Sequence, residues 1–174
     1  LAESGRNIRL MIVDLDNTLW GGVLGEDGVE ELQLGGDYPG NAFRYFQEVI
    51  RQKIDSGIAV SVVSKNNEKD ALNAISVLTD MQFREDVLAA WRINWDEKWC
   101  NILKIADEIG VGLENIIFID DNPVEREKVR QNLPAIKVLE LPDDPADYGK
   151  ALLDCPYFEQ VRINGEDKRR SRQY

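Results

Sequence analysis

"LMIVDLDNTLWGG", residues 10–22, is the stretch on which the fold turns. An apolar run of strand length, Ile8–Val13, stops abruptly at two aspartates one residue apart, Asp14 and Asp16. Short continuous apolar runs mark strands buried on both faces, as in a parallel sheet covered by helices. Taken alone, the two carboxylates are either a solvated strand end, half a calcium loop, or groups that meet a cation or do chemistry.

Working outward, four more runs read as strands: Ile58–Val63, Val87–Trp91, Asn115–Ile119 and Ala135–Leu141. Helical patterns alternate with them. Residues 41–57 place Phe43, Phe46, Val49, Ile50 and Ile54 on one stripe and stop at Gly57. Asn67 is placed to cap a helix carrying Ala71, Ile75 and Leu78. Residues 96–110 repeat the pattern through Trp99, Ile102, Leu103, Ala106 and Ile109 to Gly110. Residues 122–133 open with Pro123, at a position where a helix tolerates proline. The fold class expected is α/β: a doubly wound, Rossmann-like, five-stranded parallel sheet. Glycines flanking "GEDG" within residues 21–40 suggest a small hairpin flap after the first strand and a minimal cap.

At 174 residues and 43% apolar, the chain fits one domain, residues 1–154, followed by a polar extension at 155–174. The formal net charge of −11 argues against nucleic acid or an anionic membrane as partner. No apolar run reaches the ~20 residues of a membrane span, and "LAESGRN" has no signal-peptide pattern, so a cytoplasmic location is expected. With no histidine in the chain, Ser-His-Asp catalysis and His-ligated zinc are excluded. Two cysteines, Cys100 and Cys155, make neither a zinc site nor a disulfide framework.

In a doubly wound sheet the ligand crevice lies beyond the carboxyl ends of the strands. Asp14 and Asp16 end the first strand, Ser64 the second, and Asp120 and Asp121 the fourth, while Lys98 starts the helix before that fourth strand. Four acids and one base should therefore converge. Crowded carboxylates without His or Cys suit a hard cation, and Mg²⁺ takes a few carboxylates while keeping sites for phosphate oxygens. Ser64 and Lys98 would hold the remaining phosphoryl oxygens, one aspartate would attack phosphorus, and another would handle the leaving group's proton.

"DLDNTLWGG", "VVSKNN", Lys98 and "FIDDNPVERE" together resemble the haloacid dehalogenase (HAD) superfamily of aspartate-nucleophile phosphotransferases. The longer match, "DLDNTLWGGVLGEDG … SKNNEKDA … NWDEK … IDDNPVEREKVR", is similar to its FkbH-like branch (HAD subfamily IIIC) over roughly residues 8–153. The resemblance implies that Asp14 is the nucleophile, Asp16 the general acid/base, and Thr18 a supporting residue. It implies that Ser64, with Asn66, binds phosphate, that Lys98 steadies phosphate and intermediate, and that Asp120 and Asp121 hold Mg²⁺. Asp16 would add its backbone carbonyl to the metal. Members of the branch are implied to act on acyl-phosphates such as 1,3-bisphosphoglycerate, loading a glyceryl-type unit onto an acyl carrier protein. Many carry flanking domains, so a fragment of a larger protein is expected. Where many members read Cys-Ser-Lys, this chain reads Val63-Ser64-Lys65.

Other readings stand beside these. A calcium loop beginning at Asp14 would need glycine at Leu19 and glutamate at Gly25. A receiver domain would place its acidic pair early and its lysine last. Asp120 and Asp121 could instead cap the helix at Pro123, Ser64 the helix after it, and Lys98 could be a solvated lysine. Trp20 either packs under the flap or walls the substrate pocket, and Trp91, Trp95 and Trp99 read as core or interface. "DKRRSR", residues 167–172, is either a carrier-protein contact or a solvated tail. A domain without turnover that docks a carrier protein or a neighbouring domain is the alternative from another class.

Overall fold

The structure, a computed structural model, describes residues 7–158. Strand β1, Leu10–Val13, is wholly buried at the middle of a five-stranded sheet in which every pairing is parallel. Beside it run β2, Ala59–Ser64, and beyond that β3, Leu88–Ile93, at one edge; on the other side lie β4, Ile116–Ile119, and β5, Lys137–Val138. The order β3-β2-β1-β4-β5 confirms the expected doubly wound sheet. Beyond Trp91 the third strand runs two residues further than expected, and the fifth keeps only two residues of pairing.

The period-two alternation of β1 builds two cores. Met11 and Val13 face a cluster with α2, Gly40–Asp55, α3, Glu68–Val77, and α6, Tyr148–Leu153, through Phe46, Ile50, Ile75 and Leu152. Leu10 and Ile12 face α4, Lys98–Ile109, and α5, Pro123–Asn132, through Ile102, Ile105 and Val129. The helix ends follow local chemistry. Asn67 caps α3, Asn122 caps α5 ahead of Pro123, and Gly110 ends α4 with a left-handed φ of 80°. The last helix, α6, carries no signal picked out in the sequence.

The flap after β1 takes a different local form from the expected hairpin. Its ends do pair antiparallel, Gly21 N–H and Gln33 N–H each donating to the other's carbonyl at 2.9 Å. Between them the chain winds into α1, Leu24–Asp27, and a 3₁₀ turn at Val29–Glu31. A Cβ at Gly21 would lie 3.0 Å from both the Phe43 ring and Gln33 Oε1, a tight fit that favours glycine where the flap crosses α2.

Beyond α6 the chain stays with the domain: Cys155 and Phe158 are buried, and Ile8 N–H donates to the Tyr157 carbonyl. The basic run at 167–172 lies outside the described residues. Among those residues, no helix is long and apolar enough to cross a membrane.

Candidate active site

The register of β1 on β4 sets the site. Val13 pairs with Ile119, so the next residues, Asp14 and Asp120, emerge side by side where the connections from β1 and β4 diverge, one toward β2 and the other toward β5. Asp14 N–H still donates to the Ile119 carbonyl at 3.0 Å, tying its backbone to the sheet.

Lys98, the first residue of α4, closes over both acids. Its Nζ donates to Asp14 Oδ1 at 3.0 Å and to Asp120 Oδ2 at 2.6 Å, and all three side chains are at most 7% exposed. Burial works against the Lys98 ammonium, but the two carboxylates outweigh it and hold its pKa above the ordinary lysine value. The solvated-lysine reading is thereby ruled out.

Thr18 returns over Asp14 because the chain makes a helical turn after β1, with Thr18 and Leu19 N–H both reaching the Leu15 carbonyl. Its hydroxyl accepts the Asp121 N–H at 3.0 Å, with Asp121 Oδ1 at 3.0 Å and Asp14 Oδ2 at 3.3 Å as acceptors for its single proton. Asp14, Asp120 and Asp121 each offer an oxygen within 4.8 Å of the others. Burial, then the charge of Asp14, pushes the Asp120 carboxyl up to about 8 and that of Asp121 up to about 6. Three carboxylates against one ammonium are short of positive charge, and an oxygen-only donor set suits a hard cation.

Asp16 is held apart from this cluster. Its Oδ1 accepts from the Trp20 indole N–H at 3.1 Å and from Leu24 N–H at 3.0 Å, and its Oδ2 accepts from Asn66 Nδ2 at 3.1 Å. Burial raises its pKa above the ordinary carboxylate value, and those donors pull against the rise. The same Asn66 amide donates to Ser64 Oγ at 3.0 Å, which joins the two residues of "SKNN" to Asp16.

The side chains that cap the two helices are those of Asn122 and Asn67, which accept the N–H of Val124 and Asp70, while Asp120 Oδ1 accepts the N–H of Asn122 at 2.9 Å just ahead of α5. Trp20 is fully buried, so packing and a hydrogen bond to Asp16 replace a pocket-wall role. Trp91 donates to Glu68 at the edge strand, Trp99 packs on the α4–α5 core, and Trp95 is 71% exposed.

Three residues escaped the sequence reading. Arg126 on α5 is buried and donates from Nη1 to the carbonyls of Asp120 and Asp121 at 2.9 and 3.1 Å, fixing the backbone that carries both acids. Lys65 and Glu125 line the crevice and pair at 3.5 Å. In "SKNN" and "NPVERE" such charges look like solvated ones, and only the topology turns them inward. Neither Cys100 nor Cys155 is among the residues lining the crevice.

No protein-family model and no curated protein matches the chain. Among solved structures, the N-terminal part of the protein BF1531 from Bacteroides fragilis, containing a phosphatase domain complexed with Mg, is 40% identical with a TM-score of 0.87. The match covers 91% of this chain and 43% of that one, so the chain spans less than half of that relative's length. A putative HAD family hydrolase from Streptomyces avermitilis is 14% identical with a TM-score of 0.55, covering 85% of this chain and 90% of that one. The 3-deoxy-D-manno-octulosonate 8-phosphate phosphatase of Moraxella catarrhalis, in complex with magnesium, phosphate and the sugar acid, is 12% identical with a TM-score of 0.50, covering 86% of each chain. The fold of this chain is that of the HAD superfamily phosphatases.

Proposed function

We propose that this chain is the catalytic domain of a Mg²⁺-dependent HAD-type phosphatase or phosphotransferase that works through an aspartyl phosphate on Asp14. The observation that carries the reading is the bridge from Lys98 to Asp14 and Asp120, with Thr18 joining Asp14 to Asp121, at the switch point of the sheet. The 40% identical relative, complexed with Mg, supports it. With all the chemical positions filled, turnover is preferred to a docking role.

The side chains of Asp14, Asp120 and Asp121 would hold Mg²⁺, and the resemblance adds the Asp16 carbonyl. When bound, the ion offsets the excess of carboxylates and draws phosphoryl oxygens into the crevice. An Asp14 oxygen attacks phosphorus, the bond from phosphorus to the leaving oxygen breaks, and Asp16 gives that oxygen its proton. Water then gives a proton to the Asp16 carboxylate and attacks phosphorus. The bond to Asp14 breaks, phosphate leaves, and Asp14 returns as a carboxylate. A raised pKa suits Asp16 to the first half, and its three donors steady the carboxylate it becomes. Ser64 and Asn66 are assigned to phosphoryl oxygens, and Lys98 to the Asp14 carboxylate and the charge that develops beside it.

The FkbH-like resemblance extends the reading to an acyl-phosphate such as 1,3-bisphosphoglycerate, with the glyceryl-type unit passing to an acyl carrier protein. Val63 in place of a cysteine, and a crevice lined by neither Cys100 nor Cys155, favour phosphate release over acyl storage on this chain. Phosphate release from acyl-phosphates, sugar phosphates and simple phosphomonoesters, with Mg²⁺, tests the proposal. Release from any of them that stops in Asp14→Asn supports it; release unchanged in that variant contradicts it.

A further inference from the structure

The crevice above the acids, about 230 Å³ in volume, is lined by two ammonium groups. Lys98 is spent on Asp14 and Asp120. Lys65 is not. It follows Ser64 at the end of β2 and stands at the rim, its side chain 29% exposed. Its Nζ lies 3.5 Å from Glu125 Oε2, in the first turn of α5, and that glutamate side chain is 11% exposed. A charge-assisted hydrogen bond is about 2.7–2.9 Å long, so this longer pair leaves the ammonium donors to offer.

A phosphoryl group seated at Asp14 points the rest of its molecule toward the rim. The five carboxylates that line the crevice make it hostile to a further anion unless a cation meets that anion. We propose that Lys65 is a specificity-determining residue: its ammonium contacts a second anionic group, carboxylate or phosphate, on the leaving-group part of the substrate, in competition with its long pair to Glu125. The inference rests on the crevice being a phosphoryl site. It names the substrate class as phosphorylated small molecules with a second negative charge.

A purely structural strap between β2 and α5 would be weakened equally by loss of either partner. A substrate contact would not: losing Lys65 removes the contact, whereas losing Glu125 frees it. Calorimetric titration with Mg²⁺ in excess separates these. The probes are ethylphosphonate, phosphonopropionate and ethylenediphosphonate, none of which has a phosphate ester to cleave. Wild type is expected to hold at least one doubly functional probe about tenfold or more tighter than ethylphosphonate. Lys65→Gln should abolish that preference and leave ethylphosphonate within about threefold. Glu125→Gln should keep or enlarge it. The probe that loses more in Lys65→Gln identifies the second group as carboxylate or phosphate. Equal binding of all three probes by wild type, a preference that survives Lys65→Gln, or matching losses in both variants would overturn the proposal. Phosphate release by wild type tests the phosphatase reading separately, because the titration needs no turnover.

Discussion

Lys98 Nζ and Asp120 Oδ2 lie 2.6 Å apart, both buried, and the same ammonium reaches Asp14 at 3.0 Å. One side chain from the start of α4 thus ties together the carboxyl ends of β1 and β4. It offsets part of a negative charge that the sheet would otherwise leave unbalanced.

Removing that ammonium leaves two buried carboxylates without their partner. Breaking a buried ion pair from one side typically costs about 3–5 kcal/mol. Lys98→Met is expected to lose stability of that order in metal-free protein, and less with Mg²⁺ present. Denaturant unfolding with chelator and with Mg²⁺ checks this, and equal losses in the two conditions would contradict it.

The pH dependence of metal binding has a definite sign. Burial and the Asp14 charge raise Asp120 to about 8 and Asp121 to about 6 in the folded protein, from an unfolded value near 4. The folded state therefore keeps protons that the unfolded chain has released. The stability they contribute is complete below about pH 4 and is lost as pH rises through about 8. Mg²⁺ must displace those protons and relieves the repulsion that remains without them. The rise in Tm on adding Mg²⁺ should be larger at about pH 8.5 than at about pH 5.5. Equal rises would count against a cation site at these carboxylates.

Thr18→Val removes the hydroxyl that accepts the Asp121 N–H and links Asp121 to Asp14. An unsatisfied buried donor costs about 1–3 kcal/mol. A weaker Mg²⁺ affinity with the fold retained is expected by calorimetry, and unchanged affinity would show that the threonine does not organise the acids.

Trp20→Phe deletes one of three donors to Asp16. Loss of a hydrogen bond to the charged form raises a carboxyl pKa. If Asp16 must be protonated to assist the leaving group, the alkaline limb of the pH–rate profile should move to higher pH. A limb that stays or moves down would remove Asp16 from that role.

Part of the central geometry was legible in the sequence because one rule, polar residues at the carboxyl ends of parallel strands, brings Asp14 and Asp120 together across a long separation, whereas Ser64 meets Asp16 through Asn66. Lys98 was legible from its place at a helix start just before the fourth strand. The flap was not read correctly in detail. Glycines bounding "GEDG" signal a turn, yet its arms close into helical turns because Leu24 N–H is drawn to Asp16 and Val23 N–H to Asp27. Arg126 and Lys65 were invisible for another reason. A charged residue in a helix or after a strand looks solvated until the packing of α5 against the strand ends is known, and the buried guanidinium of Arg126 then proves to clamp two carbonyls.

The most direct test of the aspartyl-phosphate chemistry is mass analysis of the acid-quenched protein during turnover of an acyl-phosphate with Mg²⁺. The expected result is a phosphoryl group on the peptide that contains Asp14, lost together with phosphate release in Asp14→Asn. Continued phosphate release by that variant, or a phosphoryl group on a different residue, would contradict Asp14 as the nucleophile.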